Sequence, residues 1–497
     1  MRVFSSSILA LGISALTGAV TPSEPCFPSL ASRLSDSAEI HFPGSAQFDS
    51  LSRRWSNFEK PNIQVAVVVA TEEDVAETVK FAVEYDLPFL AHNGRHGTDT
   101  SLGKLQNGIG IFLNKLVGVE ISSDGETATI AGGTGSKVVT DTLLAADKET
   151  VTGACECVSY LGPALGGGHG FLQGRHGLIS DQFVSANIVL ADGTLTTIDA
   201  DSDLWWAVKG AGHNFGIVTS VTAKIYPQTH HDWALETFTF TGDKVEAAYE
   251  AANKLFFGKE KSIQPVDVIQ WSFWFNFPDI DPTGPLILFY IMQQGVTSVS
   301  DTYAQPFRDL GPIANELASG TYTDLPAWTL QALDSLGCEE GGQAKPRFPI
   351  YLRSFNTTAQ RQAYDLFASS TGPDTPFGNS LLMFEGYSLQ GIRAVPDDHT
   401  AFAFRGDNLV VAPLIQYELA DERRDAEAKK LGEELRELLR QGSQRSELHA
   451  YVNYAYGDED RKALYGYEDW RQERLRGLKE KYDPHGRFSF FGSIHVA

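Results

Sequence analysis

The residues able to do chemistry in this 497-residue chain are glycine, histidine, cysteine and tyrosine, gathered in a few short segments. The densest is Gly166-Gly167-Gly168-His169-Gly170, preceded by Gly162. Adjacent glycines mean that the backbone approaches something closely or takes positive φ. Bare peptide N–H groups in such a loop can hold a diphosphate. No Lys-Ser/Thr follows, so this is not a P-loop, and the order strand, glycine, helix, acid of a dinucleotide fingerprint is missing. Asn93-Gly94-Arg95-His96-Gly97 forms a second glycine loop, and Gly210-Ala211-Gly212-His213-Asn214-Phe215-Gly216 a third. The four cysteines, Cys26, Cys155, Cys157 and Cys338, are too few for a disulfide framework. Cys155 and Cys157 stand one residue apart, poor geometry for bridging each other, and a Cys26–Cys338 pair is left open. His230-His231-Asp232 does not set two ligands on one face, so no metal site is expected. No Gly-x-Ser-x-Gly elbow occurs.

Strands and helices must position these loops. Ile63 to Ala70 reads as a buried strand. Thr71-Glu72-Glu73-Asp74 is a capping pattern that leads into a helical apolar stripe of Val75, Val79, Phe81 and Ala82. A short strand, Pro88 to Ala91, then delivers the Asn93–Gly97 loop. Short strands with glycine punctuation continue to about Pro227. Beyond it, Val268 to Phe277 alternates, with Ile269, Trp271, Phe273, Phe275 and Phe277 on one face. That face is expected to pack on helices, and the face of Gln270, Ser272, Trp274 and Asn276 to meet a ligand. Strands at 285–292, 348–352, 380–387 and 409–417, interrupted by helices, suggest an antiparallel sheet with helices on one side. Glu422 to Gln441 reads as an amphipathic helix with Leu431, Leu435, Leu438 and Leu439 inward.

The three glycine loops, taken with Tyr451-Val452-Asn453-Tyr454, resemble the vanillyl-alcohol-oxidase (PCMH) type of FAD domain in its berberine-bridge-enzyme-like branch. Asp203-Leu204-Trp205-Trp206-Ala207-Val208-Lys209-Gly210, continued by Asn214-Phe215-Gly216-Ile217-Val218-Thr219, looks like that branch's strongest signature. Tyr465-Gly466 and Lys481-Tyr482-Asp483-Pro484 through Phe488 look like its closing motif. The likeness covers residues 45–227 and 448–497 well and the middle only by pattern. It implies an α+β protein in two lobes: an FAD-binding part at 45–227, a substrate domain at 228–447, and a segment at 448–497 that returns to the FAD lobe.

Residue by residue, the resemblance implies that His96 bonds to the 8α-methyl of the flavin. Cys155 falls on the cysteine that makes a second bond at C6, and a small register shift would nominate Cys157. Single linkage through His96 also stays open. Gly94, Arg95, Gly97, Gly162, Gly167, Gly168, Gly170, Gly216, Ile217, Val218 and Asn453 are the further cofactor contacts it implies. His92, Arg95, Ser159 and Pro163 depart from the usual Arg, Gly, Gly and His. Tyr454 matches the tyrosine that takes the substrate proton, and with an ordinary pKa near 10 it needs positive charge or hydrogen bonds to lower it. Gln416 stands where alkaloid-cyclising relatives have a glutamate base, so it is expected to hydrogen-bond substrate instead. Tyr417 and Trp274 are weaker candidates for the pocket wall. Val158, three after Cys155, matches a position where a small valine goes with oxidase behaviour.

Composition agrees with an enzyme of this kind. Hydrophobic residues make up 42% and charged residues 21%, a globular balance. A net charge of −23 repels phosphate backbones and anionic membranes. Arg2, the apolar run Ile8 to Leu16 and the small residues Thr17-Gly18-Ala19 read as a signal peptide over residues 1–19. The sequon Asn356-Thr357-Thr358 fits an exported glycoprotein. The expectation is a secreted FAD-linked oxidase that takes a hydride from an alcohol, sugar or secondary metabolite, with O2 as the second small-molecule partner. An oxidative cyclase or dehydrogenase and a non-catalytic binding protein on the same scaffold are the alternatives.

Overall fold

β-branched runs form the strands and glycines the turns between them, in a computed structural model that describes residues 27–258 and 263–495. The expected leader and Cys26 lie outside the described residues. Glu39–His41, Ile63–Val68, Gly108–Phe112 and Phe89–His92 form a four-stranded sheet in that order, its last three strands parallel. The helix Glu72–Glu84 crosses between two of them. Asp74 N–H donates to Thr71 Oγ1 at 3.1 Å, and Thr71 N–H donates back to the Asp74 carboxylate at 3.0 Å. This reciprocal cap satisfies donors that a helix start leaves bare. Val75, Val79, Phe81 and Ala82 are buried, as their helical spacing requires.

A second, five-stranded antiparallel sheet has the order Val119–Ile121, Thr127–Ala131, Ile217–Lys224, Phe183–Val189, Leu195–Ile198. Glu72 ties the crossover helix to this sheet. Its carboxylate accepts from Thr219 Oγ1 and Ser220 Oγ at 2.7 Å and from Asn187 Nδ2 at 2.9 Å.

From Trp233 onward the chain builds a seven-stranded antiparallel sheet, with Ala314–Gly320 and Ile350–Leu352 at its edges. The helices Val245–Phe256, Thr357–Ser370 and Glu422–Gly442 cover one face. That face is the reverse of the one expected. Ser272 and Trp274 point at the helices, where Tyr249 Oη bonds Ser272 Oγ at 2.8 Å and accepts from Trp274 Nε1 at 2.7 Å. Trp271, Phe273 and Phe275 turn to the open side. Ser272 and Trp274 are thus satisfied by Tyr249 and need no ligand. Trp274 is therefore no part of a pocket wall. Nor is Tyr417, whose hydroxyl donates to Asp425 at 2.7 Å on the helix side.

The sequon asparagine also has structural work. Asn356 caps the helix Thr357–Ser370, its Oδ1 accepting from Ala359 N–H at 3.1 Å while its Nδ2 donates to Gly442 O at 3.1 Å.

The C-terminal segment returns to the five-stranded sheet. Lys479 is fully buried, and its ammonium donates to Asn214 O at 2.8 Å, Asp483 Oδ2 at 2.6 Å and Phe488 O at 3.0 Å. All three of its protons are thereby used. Asn214 Oδ1 accepts from Ile494 N–H at 2.8 Å, and its Nδ2 donates to Gly492 O at 3.0 Å. Removing one member of a buried pair strands the other's charge. Lys479→Met should lower stability by about 3–5 kcal/mol, read as a drop in unfolding midpoint. Lys429→Met, at an exposed helical pair, should stay within about 0.5 kcal/mol of the parent.

Candidate active site

Between the open face of the seven-stranded sheet and the glycine loops lies a cavity of about 680 Å³. At one end the Asn93–Gly97 loop leaves the strand Phe89–His92. None of its backbone N–H groups from Asn93 to Gly97 has an acceptor among the described residues. Arg95 takes the left-handed conformation at φ 59°, which aims successive N–H groups to one side, as an anion-binding nest requires. Gly94 fits where a Cβ would come within 3.1 Å of Ser159 N. His92 Nε2 is buried with no partner, and Arg54, 6% exposed, donates only to Gly97 O at 3.0 Å. The donor set suits a diphosphate.

Gly167, Gly168 and Gly170 do not line this cavity. A Cβ at Gly167 would strike Phe402, one at Gly168 Ile179, and one at Gly170 the carbonyl of Thr152. The N–H of Gly167 is spent on Ala164 O. Close packing and positive φ explain these glycines, and the open N–H groups are in the earlier loop. Gly162, Gly216, Ile217, Val218, Val158 and Asn453 do line the cavity. Asn453 Nδ2 donates to Pro163 O at 2.8 Å and so latches the glycine loop. The Arg95 side chain turns away, donating to Ser50 O at 3.1 Å and Leu51 O at 2.9 Å.

Beside the cradle is a cluster of sulfur and imidazole. Cys157 is bridged to Cys338, which reaches over from the substrate domain. Cys26 is thus not the partner of Cys338, and Cys157 has no thiol to offer a cofactor. Cys155 is free, its Sγ 3.3 Å from Cys157 Sγ and 3.5 Å from Cys338 Sγ. Burial pushes its thiol up to about 11, so it is held protonated at neutral pH. His96 donates from Nδ1 to Gly94 O at 2.7 Å, leaving Nε2 3.3 Å from Cys157 Sγ. Burial pushes the imidazole down to about 4, and the Arg347, Arg54 and Lys345 cations add to the shift. His96 is therefore neutral and nucleophilic at pH 7. His96, Cys155 and Cys157 converge within 4.8 Å, but a sulfur held in a disulfide is no thiolate ligand, which leaves two donors.

The third part of the site is a buried hydrogen-bond network. Tyr454 Oη donates to Glu385 Oε1 at 2.9 Å, and Tyr387 Oη donates to Glu385 Oε2 at 2.7 Å. Burial raises Glu385 above the ordinary carboxylate range and holds Tyr454 well above 10. The phenol is thus not lowered as its expected role required, because burial disfavours the phenolate and a neighbouring carboxylate holds its proton. The Arg347 guanidinium, 4.4 Å over the Tyr454 ring, acts in the opposite direction. His169 is held at both nitrogens, by Gln173 Oε1 at 2.8 Å and Tyr351 Oη at 2.9 Å, and burial keeps it neutral at about 4. Gln416 lines the cavity with its Nε2 donating to Gln343 Oε1.

Glu385, Arg347 and Tyr387 escape a reading of motifs. For Glu385 a signal existed: it is the single acid in the apolar strand Leu381–Gly386, LLMFEG, and a buried strand carries a charge only for a reason.

Comparison with known proteins agrees with this geometry. The FAD binding domain family matches residues 63–199. The chain is 53% identical over 468 residues to the FAD-linked oxidoreductase chyH of Penicillium rubens, covering 94% of this chain and 93% of that protein. It is 48% identical over 501 residues to the FAD-linked oxidoreductase chry5 of Gibberella zeae, covering 98% and 99%. Among solved structures, glucooligosaccharide oxidase from Acremonium strictum, described with a 6-S-cysteinyl, 8α-N1-histidyl FAD, superposes with a TM-score of 0.79 at 17% identity. That match covers 95% of this chain and 99% of the other. 6-Hydroxy-D-nicotine oxidase from Arthrobacter nicotinovorans gives 0.76 at 22% identity, over 94% and 100%. These two likenesses concern the fold. The phosphate cradle, the matched domain and the full-length relatives together show that this chain is an enzyme of the FAD-linked oxidoreductase family, with the vanillyl-alcohol-oxidase-type fold of the berberine-bridge-enzyme-like branch and FAD as its cofactor.

Proposed function

We propose that this enzyme is an exported oxidase that carries FAD covalently and oxidises a small organic molecule at a C–H bond next to an acidic O–H or N–H. The hydrogen bond from Tyr454 to the buried Glu385, at the cavity wall near His96 and Cys155, carries the reading. When bound, FAD supplies acceptance of the hydride and passes the electron pair to O2, giving hydrogen peroxide.

The chain's own residues handle the proton. Tyr454 Oη accepts the substrate proton as its own proton moves to Glu385, so the phenol serves as a relay and no standing phenolate is needed. Tyr387 and Arg347 hold the carboxylate and the phenol in place for that transfer. Gln416, amide for acid, orients substrate without taking a proton. His96, neutral and with a free nitrogen, and Cys155, the free thiol beside it, are the attachment points proposed for the flavin. Asn93 to Gly97 and Arg54 hold its diphosphate. The apolar Val158 at the cavity surface supports O2 as the acceptor. Among the described residues no helix is long and apolar enough to cross a membrane, and export rests on the N-terminal sequence.

Acid precipitation tests the cofactor assignment. Yellow colour should stay with the protein, and a peptide mass should carry FAD on His96 and Cys155. Cys155→Ala should keep flavin through His96 alone, while Cys338→Ser should leave the Cys155 bond intact. Flavin released to the supernatant would remove the covalent roles.

The proton relay predicts its own pH dependence. Glu385 must be ionised to accept a proton, so activity is lost as pH falls through its raised pKa, giving an acid limb above the ordinary carboxylate range. Glu385→Gln and Tyr454→Phe should each lower kcat by about 10²–10⁴, and Glu385→Gln should also abolish that limb. A Glu385→Gln profile with the limb unchanged would rule out this relay.

A further inference from the structure

The fully or nearly buried cations of the described residues divide into two groups. Away from the cavity each has a carboxylate: Arg405 with Asp181, Arg436 with Asp458 and Glu459, Arg471 with Glu468, Lys479 with Asp483. Those lining the cavity have none. Arg54 is one, and its place at the Asn93–Gly97 cradle gives it the cofactor's diphosphate. Lys345 is the other, and the half-buried Arg347 lies two residues on, over the same Trp55 ring.

Lys345 is 3% exposed, and its ammonium donates only to Glu339 O at 2.7 Å, with no carboxylate oxygen within 4 Å among the described residues. Among the described residues Arg347 makes no ion pair and no side-chain hydrogen bond, and its Nε is buried without a partner. Both sit over the Trp55 indole, at 4.6 and 4.5 Å, and Arg347 also lies over Tyr454. The arrangement follows from strand geometry. Backbone bridges from Ala344 to Tyr417 and from Arg347 to Leu414 hold this stretch extended. Gln343, Lys345 and Arg347 therefore alternate into the cavity, while Ala344 and Phe348 enter the helix-side core. In a chain of net charge −23, a buried ammonium beside a half-buried guanidinium, with no carboxylate oxygen within 4 Å of either among the described residues, is costly unless something anionic joins them.

The cavity's other wall is aromatic. Trp271, Phe273 and Phe275 run along one strand, with ring centres 6.1 and 5.7 Å apart. Such a surface takes a flat, apolar ring and offers few hydrogen bonds to a sugar's hydroxyls.

We infer that the substrate is an aromatic carboxylate, with its acid group between Arg347 and Lys345 and its ring against Trp271, Phe273 and Phe275. This rests on the oxidase reading above and narrows it, since the acid group would then hold the reacting carbon near Tyr454. A guanidinium accepts a carboxylate through two parallel N–H donors, which fixes orientation as well as charge.

The test titrates the flavin-loaded protein with benzoate, with the neutral isostere benzamide and with xylobiose, following the perturbation of the flavin spectrum. Benzoate should bind at least tenfold more tightly than benzamide, with an affinity that falls as salt rises. Arg347→Gln and Lys345→Met should each weaken benzoate about tenfold while leaving benzamide binding and flavin content unchanged. Arg347→Lys should recover part of the loss. Equal binding of benzoate and benzamide, preference for xylobiose, no benzoate binding, or variants that bind benzoate as the parent does would each overturn the inference. Protein purified without flavin would count against the oxidase reading instead, and the titration would still be readable through Trp55 and Trp271 fluorescence.

Discussion

A buried ammonium with three acceptors organises much of this molecule. Lys479 draws its acceptors from Asn214, at the edge of the N-terminal glycine-rich region, and from Asp483 and Phe488 in its own segment. A lysine can be fully buried only when its charge is met and its donors are used, so these contacts form together. The C-terminal segment is thereby held against the five-stranded sheet. Because Tyr451, Asn453 and Tyr454 belong to that returning segment, the same constraint delivers Tyr454 to the seam between the lobes. Tyr454 is thus provided by neither lobe's own sheet.

The partner of Tyr454 comes from the other side. Glu385 projects from the interior strand Leu381–Gly386 of the seven-stranded sheet. Neither residue would be tolerable in its place alone. An unpaired buried carboxylate is strongly disfavoured, and a buried phenol needs an acceptor. Each satisfies the other across the seam, with Tyr387 on the second carboxylate oxygen. Electrostatics among buried groups are strong, so small displacements of the lobes would be felt directly in the Tyr454–Glu385 contact. Arg405 and Asp181, paired bidentately and almost fully buried, resist such displacement from a different quarter.

The sulfur cluster adds a covalent limit to the same motion. Cys338 lies in the substrate domain and Cys157 in the loop that follows the free Cys155, so their bridge ties a cavity-lining segment to the FAD lobe. Glu156 strengthens the tie, since its backbone N–H donates to Gln331 O at 3.0 Å and its carboxylate accepts from Leu333 N–H at 3.0 Å. Closing this long loop also restricts the unfolded chain. Cys155, next to the bridge but outside it, is left as the reduced sulfur of the cavity.

Much of this was legible in the amino-acid order. The helix after Ile63–Val68, its cap at Thr71, the antiparallel middle region and the histidine loop at Asn93–Gly97 all depend on neighbours a few residues apart, where periodicity and turn chemistry act. Signatures around Asp203–Thr219 and Tyr451–Tyr454 identified the family because its cofactor constrains those stretches locally. What sequence could not decide were relations across long separations. Which face of Val268–Phe275 meets the cavity depended on Tyr249 satisfying Ser272 and Trp274 from a distant helix. Whether the Gly167–Gly170 stretch faced a ligand or a packed neighbour depended on Phe402 and Ile179. The pairing of Cys157 with Cys338, the meeting of Tyr454 with Glu385, and the placing of Lys345 and Arg347 with no carboxylate oxygen within 4 Å among the described residues are likewise products of the folded chain. Periodicity reports on a residue's own element, whereas charge compensation and disulfide choice are settled only when remote elements come within a few ångströms of one another.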